Sequence, residues 1–295
     1  MILLDTEIPF GLPMAVIPSG HVLIGTDKGG LVHGSERPRY EASIPEFMMM
    51  DSLLTEKQFN QIVDEEGGGN SPIEKLNWED VERLLKVVTT ELPMGFEVRL
   101  PSEAEWMRAK QHLVFELPLA CEEMLWDHPS NNNRGAPIDG RPRLDERVGS
   151  LMKRYRASIK SHPKKRGLTF RSQAPIFSPQ ADTFIRLIIR KITSNEAVRV
   201  PEEADMKAIF KQEVMIAIII GIIPSFLIPI FRGFSDYVLD GWANLIFGGL
   251  CISFASAAIW RPRRPTWYLD DDGKSLIARK TSFQSPESSE DIAGR

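Results

Sequence analysis

R-L-P-S-E-A-E-W, Arg99 to Trp106, is the stretch on which the reading of this chain turns. Gly95 to Leu100 reads as a short strand. Pro101 follows with its φ preset and no N–H to satisfy. Ser102 then stands as an N-cap with Glu105 three residues on, the spacing of a capping box. The octapeptide is therefore a strand-to-helix junction whose helix runs to about Lys110. Arg99 with Glu103 and Glu105 is expected to form a fixed ion-pair and hydrogen-bond network there. Leu100 and Pro101 shape the junction, and Trp106, like Trp78, is expected in the core.

Similar junctions lie upstream. Asn77 caps a predicted helix from Trp78 to about Glu91, with Val81, Leu84, Leu85 and Val88 on one face. Thr55 and Gln58 form a capping box for Glu56 to Val63, where Phe59, Ile62 and Val63 recur at helical spacing. Gly67–Gly69 breaks the chain, and Pro72 to Leu76 is extended. Pro18–Gly20 reads as a turn between two apolar, β-branched runs, a hairpin over residues 14–27. Residues 40–50 end in another apolar run, Phe47 and three methionines.

The net charge of −4 over 295 residues conceals a segregation. Residues 1–140 carry 11 Lys+Arg against 24 Asp+Glu, residues 141–199 carry 15 against 4, and residues 200–295 carry 10 against 12. Two cysteines exclude a disulfide-built scaffold and any four-thiolate metal cluster.

Val214 to Phe231 has 18 residues without charge, and Gly241 to Trp260 has 20, with Arg232 to Asp240 between them. At 1.5 Å per residue the first is about 27 Å long, near the hydrocarbon thickness of a bilayer. Two antiparallel membrane spans are the simplest reading, and a buried pair of core helices is the alternative. Lys207 and Lys211 precede the first span and Arg261, Arg263 and Arg264 follow the second, against Arg232 in the turn. Both termini are then expected in the cytoplasm. Tyr237, Trp242 and Trp260 sit where interfacial aromatics belong. Gly221 and Ser225, with Gly249, Ser253 and Ala257, form rows that let helices approach closely. Pro224 and Pro229 are expected to kink the first span. With no Asp, Glu, Lys, Arg or His inside either span, the pair reads as an anchor rather than a carrier. No basic region leads a hydrophobic run at the start, so the hairpin itself is expected to target the chain.

The order of the N-terminal elements resembles the formylglycine-generating enzyme family, also called sulfatase-modifying factor domains. R-L-P-S-E-A-E-W is close to the family's R-L-P-T-E-A-E-W. Ile17–Gly25 is similar to its opening P-x-G-x-F-x-M-G, and Glu36, Pro38 and Tyr40 to its E-x-P-x-h segment, with tyrosine in the usual histidine position. Phe47, Leu54, Thr55 and Phe59 follow its next word, and Pro72 with Leu76–Val81 resembles P-V-x-x-V-S-W-x-D-A. The likeness covers Met14–Lys191, strong to Lys110 and worn beyond it, where Ala120–Asp127 stands for V-W-E-W and Phe184 and Arg186 for the terminal G-F-R. It implies an α+β, irregular, C-type-lectin-like domain followed by two transmembrane helices. The expected layout is domain 1–195, juxtamembrane linker 196–212, spans 213–232 and 240–260, and a cytoplasmic, largely disordered tail 261–295.

The family's oxidase chemistry uses a close cysteine pair that binds copper(I) and activates oxygen. Here Cys121 and Cys251 are the only thiols, and Cys251 lies in the second span, so that pair is absent. Cys121 alone reads as a buried small residue. The five histidines, His21, His33, His112, His128 and His162, show no i, i+4 ligand spacing. Another branch of the family builds an iron site from a partner domain's histidines, and nothing here matches it. No phosphate loop, G-x-S-x-G word or kinase motif set occurs. No cofactor or metal is called for. Asp127, Asn131, Asn132, Asn133 and Asp139 are oxygen donors of one polar loop without EF-hand order. Cys121, Trp126, Asp127 and Asn131–Asn133 mark where a ligand groove would lie.

Arg141 to Arg171 holds eleven Lys+Arg and two acids. The segment has three readings: a solvated loop that neutralises its own acidic domain, a contact with anionic lipid headgroups through Lys153, Arg154, Lys164, Lys165 and Arg166, or nucleic-acid contact. The last is the weakest, because aromatic interleaving is thin. The chain is thus expected to be a membrane-anchored binding or scaffolding module, a pseudoenzyme with the lipid bilayer and an unknown protein as partners. The competing expectation is a divergent enzyme of the same family acting on an unknown substrate.

Overall fold

Phe47-Met48-Met49-Met50 are four consecutive apolar residues, all buried. Side chains alternate along a strand, so such a run needs cover on both faces. The computed structural model, which describes residues 8–113, 117–144, 154–178 and 181–280, shows what supplies it.

The chain begins with β1 (Met14–Ile17), β2 (Gly20–Ile24), β3 (Tyr40–Ile44) and β4 (Phe47–Met50). Then come α1 (Glu56–Val63), α2 (Trp78–Thr90), β5 (Phe96–Arg99) and α3 (Glu103–His112). Short strands follow: β6 (Glu122–Met124), β7 (Tyr155–Ser161), β8 (Thr169–Pro175), β9 (Thr183–Phe184) and β10 (Ile188–Lys191). The apolar part is α4 (Met206–Ile216), a π-helical stretch Ala217–Ile222, α5 (Ile223–Arg232) and α6 (Asp236–Ser256). Two last strands, β11 (Thr266–Leu269) and β12 (Leu276–Arg279), end the described chain.

Three four-stranded sheets result, ordered β1-β4-β10-β5, β12-β11-β3-β2 and β8-β7-β6-β9. The first is the middle layer. Met48 and Met50 pack with Phe59, Val81, Leu84 and Val88 of α1 and α2, and Phe47 and Met49 pack with Trp106 of α3 and Val22, Ala42 and Ile44 of the second sheet. Each fully buried Leu or Val of α2 contributes roughly 1.5–3 kcal/mol, which holds that helix to the sheet. Thr55–Gln58, Asn77–Asp80 and Ser102–Glu105 each form a reciprocal capping box at the start of α1, α2 and α3. The domain is α+β, with short strands and long connections.

Three expectations are corrected. β1 and β2 do not form a hairpin: β1 pairs with β4 and β2 with β3, in different sheets. The Arg108 guanidinium of α3 takes the carbonyls of Pro18 and Ser19, so the turn is a crossing between sheets. The segment 196–212 is not all linker. Val198 and Val200 pack into the second core and exchange backbone hydrogen bonds with residues 135–138, and Asp205 caps α4 seven residues earlier than the expected span. Nor is 261–280 a tail: β11 bridges β3 in parallel at Trp267 and Tyr40 and pairs with β12, carried by the buried Thr266 and the apolar Trp267 and Leu269. Ser282–Arg295 lies outside the described residues.

α4, the π stretch and α5 form one helix, Met206–Arg232, and α6 returns antiparallel beside it. Both are long and apolar enough to cross a membrane. Pro224 sits in the first turn of α5, directly after the π stretch, where its missing N–H breaks the i→i+4 ladder. The helices meet at Gly221 and Gly249. A Cβ on Gly249 would stand 2.2 Å from the Gly221 carbonyl oxygen. Phe226 and Trp242 meet edge to face at 4.8 Å, and the Trp242 indole donates to the Ser225 carbonyl at 3.1 Å.

Candidate functional site: a polar groove at the start of α3

The junction that caps α3 has a sealed side and an open side. On the sealed side Glu105 is fully buried and accepts from Arg99 at 2.7 and 2.8 Å, from Arg190 of β10 at 2.8 Å, and from the Ser102 N–H at 2.8 Å. Burial opposes its charge, but Arg99 and Arg190 outweigh it and hold the carboxyl below its usual range. The Ser102 hydroxyl also donates to the Gly140 carbonyl at 2.7 Å, tying the helix start to the 127–140 loop.

Glu103, two residues away, is not part of that network. It pairs with Arg171 of β8 on the open side. Its backbone N–H donates to Asp127 Oδ2 at 2.7 Å, and the Arg143 N–H donates to Asp127 Oδ1. Asp127 thus supplies a second carboxylate to the first turn of α3, where the helix end favours negative charge. Burial still dominates, with a further push from Glu103, and the Asp127 pKa rises to about 6. Tyr40 of β3 faces the same space, and burial with the nearby Glu103 keeps its phenol protonated well above the ordinary range.

These groups line a groove of about 450 Å³ between β3, α3, β7, β8 and the 127–137 loop, with Ser35 and Glu36 at one side. Three carboxyls, Glu36, Glu103 and Asp127, and three guanidiniums, Arg141, Arg143 and Arg171, line it together with Tyr40. Such a groove can bind a polar ligand through paired donors and acceptors, and Asp127 is poised to exchange a proton near neutral pH.

Of the residues expected at a groove, Asp127, Asn131 and Asn133 line it. Asn133 is buried and spends its amide on the Glu36 and Pro38 carbonyls at 3.1 and 3.0 Å, fixing the groove wall. Asn132 accepts from the Arg134 N–H, and its carbonyl takes the Arg143 guanidinium at 2.6 Å. Trp126 is elsewhere: it packs on Trp78 at 5.1 Å, with the Arg156 guanidinium 4.1 Å over Trp78. Cys121 is elsewhere too, half-buried against Leu53, Leu117 and Phe184, and burial with Asp182 and Glu74 pushes its thiol pKa up. Tyr40, Arg143 and Arg171 were not singled out as site residues. Their sequence signal was only the Tyr40 position in the family word and membership of the basic segment.

That segment divides. Arg141, Arg143 and Arg171 line the groove, Arg141 while paired with Asp139, and Lys164, Lys165 and Arg166 are exposed at the β7–β8 turn, where the Lys164 and Lys165 N–H groups donate to His162. Arg154 is exposed beside β7, and Lys153 lies outside the described residues.

A model of the sulfatase-modifying factor enzyme 1-like domain matches residues 11–112. The N-terminal part of the chain is thus similar to that family, and the match ends where α3 ends. Solved structures with similarity to the chain include PvdO from Pseudomonas aeruginosa, at 14% identity and a TM-score of 0.46 over 61% of this chain and 94% of that one. Treponema denticola variable protein 1 follows at 11% identity and 0.41, over 58% and 94%. No curated protein matches the chain.

Copper(I), which the family's oxidase chemistry would imply, asks for two soft thiolates. The residues present do not fit it. Cys121 stands outside the groove with its thiolate disfavoured, and Cys251 is on the exposed surface of α6.

Proposed function

We propose that this chain is a membrane-anchored domain of the sulfatase-modifying-factor type that binds a polar ligand in the groove and does not make formylglycine. The separation of its two thiols carries the reading: neither lies in the groove and they share no site. The anchoring half rests on the helix pair. Ile219, Ile223, Phe226, Leu227 and Ile230 present bare apolar surface, and only 22% and 6% of the two apolar windows is buried, unlike core helices of a soluble protein. Lys207, Lys211 and the arginines after α6 support a cytoplasmic position for the domain.

Oxygen uptake by the full chain in detergent, with copper(I) and a cysteine-bearing peptide, tests the chemistry. No uptake above the buffer rate is expected, and turnover overturns the reading. Protease protection with tags at both ends tests the topology, and an N-terminal tag outside the cell contradicts it.

One observation favours a catalytic alternative. An Asp127 carboxyl with a pKa of about 6 beside the Tyr40 phenol has the protonation balance of a general acid or base. A divergent enzyme would use that pair on the bound ligand.

A further inference from the structure

Where the domain meets the helix pair, two apolar residues stand exposed among the described residues. Residues 31–36 form a short 3-10 turn, and Leu31 and Val32 at its start are 70% and 65% exposed. The turn is fixed to the end of α6: the Leu31 N–H donates to the Ala257 carbonyl at 2.9 Å and the Val32 N–H to Ala258 at 3.3 Å. Just before it, a Cβ on Gly29 would lie 2.1 Å from the Arg261 carbonyl oxygen, so the loop rests directly on the chain leaving the helix. The Arg264 N–H donates back to the Asp27 carbonyl at 2.7 Å.

That helix end is itself locked. The Arg261 guanidinium, nearly buried, grips Glu213 of α4 at 2.8–2.9 Å and the Ser253 carbonyl at 3.2 Å. Glu213 and Arg261 therefore mark one level across both helices, and Leu31 and Val32 are bonded to Ala257 and Ala258, directly before Ile259 and Trp260 in the chain. Ile259 and Trp260 are exposed as well. The nearby cations include Lys28, Arg263 and Arg264, and Arg37 beside Arg264.

We propose that Leu31 and Val32 are a second, shallow membrane contact that enters the headgroup boundary beside the end of α6. This rests on the anchoring reading above. The bilayer is the occupant because the two side chains continue the bare apolar surface of the helix end, and because cations flank them as at an anionic lipid surface. The contact has a consequence for the groove. Ser35 and Glu36, at the other end of the same turn, form part of its wall, so the groove is held at a fixed height over the membrane instead of swinging on a tether.

The test uses the full chain with Cys121→Ala and Cys251→Ala and one new cysteine at a time: Val32→Cys, Ile252→Cys on α6, or Met94→Cys on the exposed turn before β5. Each is labelled with bimane and reconstituted in phosphatidylcholine–phosphatidylserine vesicles carrying nitroxide lipids. Strong quenching is expected at 252 and several-fold more at 32 than at 94. Equal quenching at 32 and 94, with 252 strongly quenched, overturns this contact and leaves the anchor standing. Absence of quenching at 252 overturns the anchor, and the contact with it.

Discussion

Glu103 and Glu105 come from one octapeptide and stand two residues apart in the first turn of one helix, yet their surroundings differ completely. Glu105 is sealed, with both oxygens held by Arg99, Arg190 and the Ser102 N–H. Glu103 faces a groove and one half-open guanidinium, Arg171. On a helix, residues i and i+2 point in different directions, so one turn can fasten the fold with one carboxylate and furnish a site with the other. The octapeptide fixes the junction. The chemistry of the groove depends on what residues 127–143 and 157–173 bring to its open side.

Removing the sealed carboxylate is the sharpest way to break that contrast. Glu105→Ala takes the buried shared partner from two arginines, 5% and 2% exposed, and leaves them only the part-exposed Glu97 as an ion-pair partner. Stranding a buried charge outright costs about 3–5 kcal/mol, and Glu97 offsets part of that for each arginine. Thermal melting of the full chain in detergent should show a collapse of the domain's transition, or no folded protein at all. Glu105→Gln, which keeps the shape and one acceptor, should fall between it and the parent. If Glu105→Ala melts with the parent, the junction is not what fastens α3.

The sequence was informative where interactions are local. The three capping boxes span three residues each, and the groups that close them are visible in a single turn of chain. The two apolar helices were legible for the same reason, as unbroken runs. The parts that were not legible are made by distant partners. Arg190 reaches Glu105 across 85 positions, and Arg171 reaches the Ser35 carbonyl across 136. Arg108 diverts the Pro18 turn from 90 positions away, turning an apparent hairpin into a crossing. β11 joins its sheet through one bridged pair, Trp267 and Tyr40, too little regular pattern to announce a strand beyond two long apolar helices. Asp127 was found because its loop is rich in oxygen donors, whereas Arg143 and Arg171 were hidden in a long basic run.

Asp127 sharpens the comparison through pH. Its carboxyl is held near 6 in the folded domain against 3.8 unperturbed. The folded state therefore binds the proton more tightly. The associated stability is fully present below about pH 4, is lost as pH rises from about 4 to about 6, and stays lost above. Two pKa units at 1.36 kcal/mol each set an upper bound of about 3 kcal/mol. The check is the difference in melting between the parent and Asp127→Asn from pH 4 to 7.5. The parent should gain on the variant as pH falls through 6. Asn also turns a donor toward one of the two backbone N–H groups, which lowers the variant at every pH and does not change the slope. Parallel profiles would show that Asp127 titrates normally and would remove the case for an acid–base role.

Between these lies the cap itself. Ser102→Ala deletes the acceptor for the Glu105 N–H and the donor to Gly140. Loss of an N-cap costs about 1 kcal/mol, and this one adds a broken tie to the groove loop. A melting shift well short of Glu105→Ala is expected.

Glu103→Gln should have the smallest effect on stability and the clearest effect on the groove. Both partners of its ion pair are about a quarter exposed, at 25% and 26%, so screening leaves about 1 kcal/mol or less. The variant's melting should lie close to the parent. Its Asp127 should titrate lower, because Glu103 is one of the charges that raise that carboxyl. A downward shift of the pH profile with unchanged stability at pH 7.5 would show that the open side of the junction can be retuned without touching the sealed side. A loss as large as that of Glu105→Ala would mean instead that the two carboxylates do one job, and that the octapeptide has no open side to spare for a ligand.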